Sequence, residues 1–148
     1  MKKVFSVISL LFLVLFLLVS CEKSSSDWVE YNEDNDGNVW FYKKGDINKD
    51  GDKFLVKVWD KRVFSDKSRE KEIQNRTNGG RSTEGWDKIS NIQVLNEIDC
   101  NRQMYQVLSL VHYDKDGNVM YSSSYDEPEW KYITPDSTKN TLRKEVCK

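Results

Sequence analysis

The sequence predicts an α+β domain: an antiparallel β-sheet of about six strands, with a C-terminal α-helix packed on one face and disulfide-linked to it. Three observations carry that reading. The stretch from Ile89 to Tyr113 reads as two strands joined at Asn101. In the first, Ile92, Val94, Ile98 and Cys100 share one face with Asn96, while Gln93, Glu97 and Asp99 point the other way, which is the period of a half-buried strand. Asp36-Gly37 and Asp116-Gly117 sit between aromatic or β-branched runs, as hairpin turns do. Near the C-terminus Thr138, Leu142 and Val146 recur at every fourth position, a narrow helical stripe that ends beside Cys147.

Residues 1–20 stand outside this fold. Lys2 and Lys3 are followed by an almost wholly apolar run from Val4 to Val19, the pattern of a secretory signal. Leu18-Val19-Ser20-Cys21 resembles the lipobox of bacterial lipoproteins, which implies cleavage before Cys21 and lipidation of that residue. The competing reading is an uncleaved membrane anchor, because the apolar run is nearly long enough to span a bilayer. Several acyl chains on one cysteine anchor firmly, at about 0.8 kcal/mol per buried methylene. By the same resemblance, Glu22 after the cysteine favours the outer membrane. Residues 21–27 then form the lipidated cysteine and a polar tether, with Ser24-Ser25-Ser26 inside it, and residues 28–148 form the domain.

Cysteine use follows. With Cys21 taken by lipid, two of the three cysteines remain, Cys100 and Cys147, in a chain that has left the reducing cytosol. A structural disulfide between them is expected. A loop of 46 intervening residues gives a chain-entropy gain of about 4 kcal/mol at the upper end. A redox pair or metal site fits poorly, since there is no Cys-x-x-Cys and only one His.

The strands are expected in order. Trp28 to Tyr31 and Val39 to Tyr42 flank the turn at Asn32–Asn38. Asp46 to Lys53 reads as a second turn. Phe54 to Phe64 is a long strand with Phe54, Val56 and Val58 on one face and Leu55, Trp59 and Val63 on the other. Ser65 to Asp87 breaks the pattern: it is highly charged, contains Asn78-Gly79-Gly80, and offers Ile73 as its only branched apolar residue near a short helical run at Lys67–Gln74. It reads as a mobile surface loop with a helical turn or two. Lys88–Cys100 and Arg102–Asp114 are the central pair. The second is apolar on both faces, with Met104, Leu108 and Leu110 on one and Tyr105, Val107, Val111 and Tyr113 on the other. Val119 to Tyr125 returns after the Asp116-Gly117 turn, and Asp126 to Pro135 is a linker. The helix follows with Asp136 or Ser137 as its N-cap.

Composition excludes some functions. Without Lys2 and Lys3 the chain carries 21 basic against 24 acidic residues, so it has no basic excess for nucleic acid. Asp46-Ile47-Asn48-Lys49-Asp50-Gly51-Asp52 imitates the start of a calcium loop, but Lys57 stands where the bidentate Glu belongs and a strand follows instead of a helix. No metal or cofactor is expected. His112 is the only histidine and has no marked nucleophile or carboxylate around it, so a structural role is expected. Glu127 and Glu129 flank Pro128 on a loop and read as solvated charge rather than a glycosidase pair. Lys67, Arg69, Lys71, Arg76 and Arg81 make Ser65–Asp87 locally basic. That pattern suits contact with an anionic polymer or acidic partner, and equally a soluble loop diluted by Asp66, Glu70 and Glu72.

A family resemblance spans nearly all of Trp28 to Lys148. It rests on Trp28, Val56-Lys57-Val58-Trp59, Leu95-Asn96-Glu97-Ile98-Asp99-Cys100, Tyr113-Asp114 with Asp116-Gly117, Trp130-Lys131-Tyr132-Ile133, Pro135 with Ser137, and the terminal Val146-Cys147. In these the chain resembles the surface-adhesin protein E family of bacterial lipoproteins. The resemblance implies an antiparallel sheet with a C-terminal helix bridged to it by a disulfide. It also implies an outer-membrane lipoprotein that binds extracellular-matrix or plasma proteins and can dimerise. The expectation is therefore a non-enzymatic, lipid-anchored, adhesin-like protein-binding module of the cell envelope, without a cofactor. Its loops and the uncovered sheet face would meet a partner or a second copy. The alternative is a structural or small-ligand-binding envelope lipoprotein without adhesive activity.

Overall fold

The computed structural model describes residues 27–44, 47–50 and 54–148. One antiparallel sheet holds every strand among them. Its main path runs β1 (Trp28–Glu33), β2 (Val39–Lys43), β4 (Leu55–Val63), β5 (Ile89–Asp99), β6 (Met104–Asp114) and β7 (Val119–Ser124). Two short strands lie off that path. β3 (Asn48–Asp50) pairs with β4, and β8 (Lys131–Tyr132) pairs with β6. They occupy stretches expected as turn and linker, where so few residues leave no alternation to read.

Two of the hairpins share one device. In both Asp34–Asn38 and Asp114–Asn118 an Asp Oδ1 accepts from the backbone N–H two and four residues on, at 3.0 Å twice in the first and 2.9 and 2.8 Å in the second. Gly37 and Gly117 take φ of 77° and 84°, a conformation that costs other residues strain. The Asn118 side chain and then its N–H hold the Asp114 carboxyl below its ordinary range.

Helix α2 (Thr138–Val146) closes the fold. Ser137 is its N-cap and accepts from the Asn140 N–H at 3.1 Å. The predicted stripe is the buried one: Leu142 and Val146 pack with Tyr42, Val56, Val58, Ile98 and Ile133. Each such side chain contributes about 1.5–3 kcal/mol by leaving water. Cys147 at the helix end is bonded to Cys100, with the two Cα atoms 5.7 Å apart, and both pack against this core. A polar contact sits inside it. Lys139 Nζ donates to Asp60 Oδ2 at 2.8 Å and to Asn96 Oδ1 at 3.0 Å, and Tyr31 donates to Asp60 Oδ1 at 2.9 Å.

The structure corrects two readings. Most of the segment expected as a mobile loop is ordered: Asp66–Asn78 is a helix of 13 residues, α1, followed by a 3₁₀ turn at Trp86–Lys88. Ser65 caps α1 by accepting from the Ser68 N–H, and buried Ser68 accepts from Arg62 Nη2 at 2.8 Å. The helix is tied down by polar contacts, so it lacks the apolar stripe by which a sequence announces a docked helix. The second correction concerns β6. Leu95 faces Ser109 but Asn96 faces Val107, so Leu108 is an extra residue, a β-bulge. The four residues expected on one face are therefore split. Tyr105 packs on the core under α2, while Val111 lies opposite Gln93 on the other side.

Candidate interaction surface

Both helices sit on one side of the sheet. On that side β4 presents Val56, Val58 and Asp60 to α2 and Arg62 to α1. Successive residues of a strand alternate, so Leu55, Lys57, Trp59, Lys61 and Val63 face the opposite way. Register then carries this second face across the sheet. Lys61 lies beside Phe41 and Gln93, Trp59 beside Leu95, Leu95 beside Ser109, and Gln93 beside Val111. No described helix covers it. Trp28, Phe41, Trp59, Leu95 and Val111 are only half-buried there.

Lys61 is the centre of the aromatic end. Its ammonium lies 4.4 Å from the Trp28 ring centroid and 4.7 Å from that of Phe41. A cation over ring faces is attracted by their negative quadrupole. Partial burial holds the Lys61 ammonium below the usual lysine range. The surface combines flat rings and aliphatic groups with the ammoniums of Lys57 and Lys61, and the aromatic rings are the part that protein interfaces favour.

The other predicted site residues fall as follows. Cys21 lies outside the described residues, as do residues 1–26 generally and Asp46, Gly51 and Asp52 of the calcium-like stretch. Cys100 and Cys147 form the disulfide. Of the five basic residues in Ser65–Asp87, four are engaged within the fold. Lys67 and Lys71 both reach Asp36, at 3.1 and 2.6 Å, and hold its carboxyl low. Arg69 pairs with Asp66 and donates to the Ile89 carbonyl at 2.8 Å. Arg76 stacks on Trp86 at 4.1 Å and donates to the Ser82 carbonyl at 2.7 Å. Arg81 is exposed. His112 is enclosed by rings, with Trp86 at 5.5 Å and Tyr121 at 5.4 Å. Burial, and then Arg76, push its pKa down, with Glu72 opposing. Among the described residues no three metal-ligating side chains come together. The open face was legible only in part, since the aromatic cluster under Lys61 needs the β1–β2–β4 order, which the alternation alone does not give.

The surface-adhesin protein E family model matches residues 28–148, from the first residue of β1 to the last of the chain. The chain belongs to the surface-adhesin protein E family. That makes it a surface adhesin-like protein. Two solved structures of Haemophilus influenzae protein E have the same fold. One superposes with a TM-score of 0.52 at 10% identity, covering 88% of this chain and 94% of that one. The other gives 0.51 at 11% identity, covering 88% and 90%. No curated protein matches the chain. At such identities the likeness lies in the fold alone.

Proposed function

We propose that this family member is a lipid-anchored adhesin of the bacterial outer membrane, attached through Cys21, that binds extracellular-matrix or plasma proteins and catalyses no reaction. The observation that carries the reading is the uncovered sheet face with Lys61 over Trp28 and Phe41. An aromatic face left half-open across several strands is costly in water unless a partner covers it. Family membership supplies the kind of partner. The basic residues of α1 are a weaker candidate, because Lys67, Arg69, Lys71 and Arg76 are already used to fasten the helix. The same face would receive a second copy if the protein is a homodimer.

The test is capture on immobilised matrix and plasma proteins. Val111→Lys and Trp59→Ser place a charge or a gap on the open face and should reduce capture. Arg81→Gln and Lys67→Gln, on the α1 side, should leave it near wild type. Retention by the open-face variants and loss by the α1 variants would move the site to α1. No capture by the wild type would favour the structural or small-ligand-binding alternative. Anchoring is read separately: Cys21→Ser should leave the membrane fraction, and its persistence there would remove the lipid.

A further inference from the structure

The β6 edge changes partner at its bulge. β7 leaves after Ser124, with the Tyr125 N–H bonded to the Leu108 carbonyl at 3.0 Å, and β8 joins further down with Lys131 opposite Tyr105. Residues 125–130 must arch from one strand to the other. Beneath the arch is a cavity of about 390 Å³. Its floor is Val94, Val107 and Leu110, brought to one side by the bulge. Its rim is Glu127, Glu129 and Lys131, with Tyr125 and Pro128 between apolar floor and charged rim. Neither glutamate makes a hydrogen bond or ion pair among the described residues, and both are exposed.

The chemistry of the walls selects the occupant. A purely aliphatic group would satisfy the floor but crowd two carboxylates with nothing to pair them. An anion would meet two carboxylates against one ammonium. A long side chain with an aliphatic stem and a cationic head matches both levels, with its methylenes on Val107 and Leu110 and its charge between Glu127 and Glu129. The volume is near the low end for whole-ligand pockets and suits one side chain with its flanking backbone. We infer that the 125–131 arch receives a lysine or arginine side chain of a bound protein. The inference rests on the protein-binding reading above but uses residues on the helix side of the sheet, away from the open face.

The experiment is a methyl-detected NMR titration of the purified protein with acetyl-Gly-Lys-Gly-amide, and with the same peptide carrying Arg, norleucine or Glu at the centre. The Lys and Arg peptides should shift the Val107 and Leu110 methyl signals. The norleucine and Glu peptides should bind about fivefold more weakly, the scale of exposed ion pairing. Glu127→Gln combined with Glu129→Gln should bring the Lys peptide down to the norleucine level, and Lys131→Gln should tighten it. Equal binding of norleucine, preference for Glu, or unmoved floor methyls with every peptide would overturn the assignment. No matrix or plasma protein enters this titration. A failure of capture on those proteins therefore leaves its result standing, and a silent arch leaves the open face untouched.

Discussion

Replacing Lys139 by methionine should cost the fold about 3 kcal/mol, the lower end of what breaking a buried ion pair costs. Asp60 is 2% exposed in the middle of β4, and its donors are Lys139 Nζ and Tyr31 Oη, at 2.8 and 2.9 Å. Burial first and the Asp60 charge second push the Tyr31 hydroxyl far above the phenol range, so Tyr31 stays a donor. Methionine keeps the aliphatic length of Lys139, whose head lies 5.3 Å from the Tyr105 ring centroid, and removes only the ammonium. What remains is a desolvated carboxylate with a single hydroxyl donor. The Lys139 side chain is 20% exposed, so some water can reach the gap, which is why the lower end applies. Urea unfolding with the disulfide intact, followed by tryptophan fluorescence, reads the effect as a midpoint shift of about 1.5 M at a typical slope of about 2 kcal/mol/M. The double variant Lys139→Met with Asp60→Asn removes the stranded charge and should recover to within about 1 kcal/mol of wild type. A single variant within about 0.5 kcal/mol of wild type, or a double variant no better than the single, would refute the ion-pair argument.

Three further outcomes are expected. Cys147→Ser should lower stability by up to about 4 kcal/mol and loosen α2, read as a lower thermal midpoint that reductant no longer changes; native protein with both thiols free by mass spectrometry would contradict the pairing. Asp99 is buried, which opposes its charge, yet the Arg102 N–H and guanidinium and the Asn101 N–H hold its carboxyl low. Its contribution is thus present above the unfolded-state value of about 3.9 and lost as pH falls through the folded one, so Asp99→Asn should flatten the acid limb of a stability profile. His112 has the same sign for a different reason. The folded protein resists its protonation, so below about pH 6.5 the unfolded state takes up more protons and stability falls, a loss that His112→Gln should remove.

Much of this fold was legible because its core obeys the two simple periods. Val56 and Val58 flank Lys57, Ile98 sits between Glu97 and Asp99, and Leu142 and Val146 stack at helical spacing, so faces and helix follow from the sequence. Helix α1 was illegible for a physical reason. Its attachments run through Ser68, Arg69, Lys67 and Lys71, residue types that on any exposed helix would read as solvated charge. Their partners, Arg62 on β4, the Ile89 carbonyl on β5 and Asp36 in the turn between β1 and β2, cannot be paired from the chain order. β8 was missed because it is two residues long, Lys131–Tyr132, and Ile133 beside it, 1% exposed, shares the linker with Trp130 and Tyr132 in no repeating pattern.

The bulge at Leu108 explains why the two candidate surfaces have different chemistry. The sequence Val107-Leu108-Ser109-Leu110-Val111 is apolar on either phase, so nothing in it says which residue is doubled. Once Leu108 is the extra one, Tyr105 and Val107 turn toward the helix side and Val111 turns away. The open face loses one aromatic residue of β6 and depends on Trp28, Phe41 and Trp59 from the far strands. The helix side gains Val107 beside Leu110 at the point where the edge is passed from β7 to β8. One inserted residue therefore moves the aromatic cluster toward the N-terminal strands and opens a cavity at the other end. Deleting Leu108 should restore a regular ladder with every facing kept, because Val107 and Ser109 already pair with the consecutive residues Asn96 and Leu95. A deletion variant in which Tyr105 leaves the core or Val111 leaves Gln93, read from their cross-strand contacts by NMR, would show that Leu108 is not the extra residue.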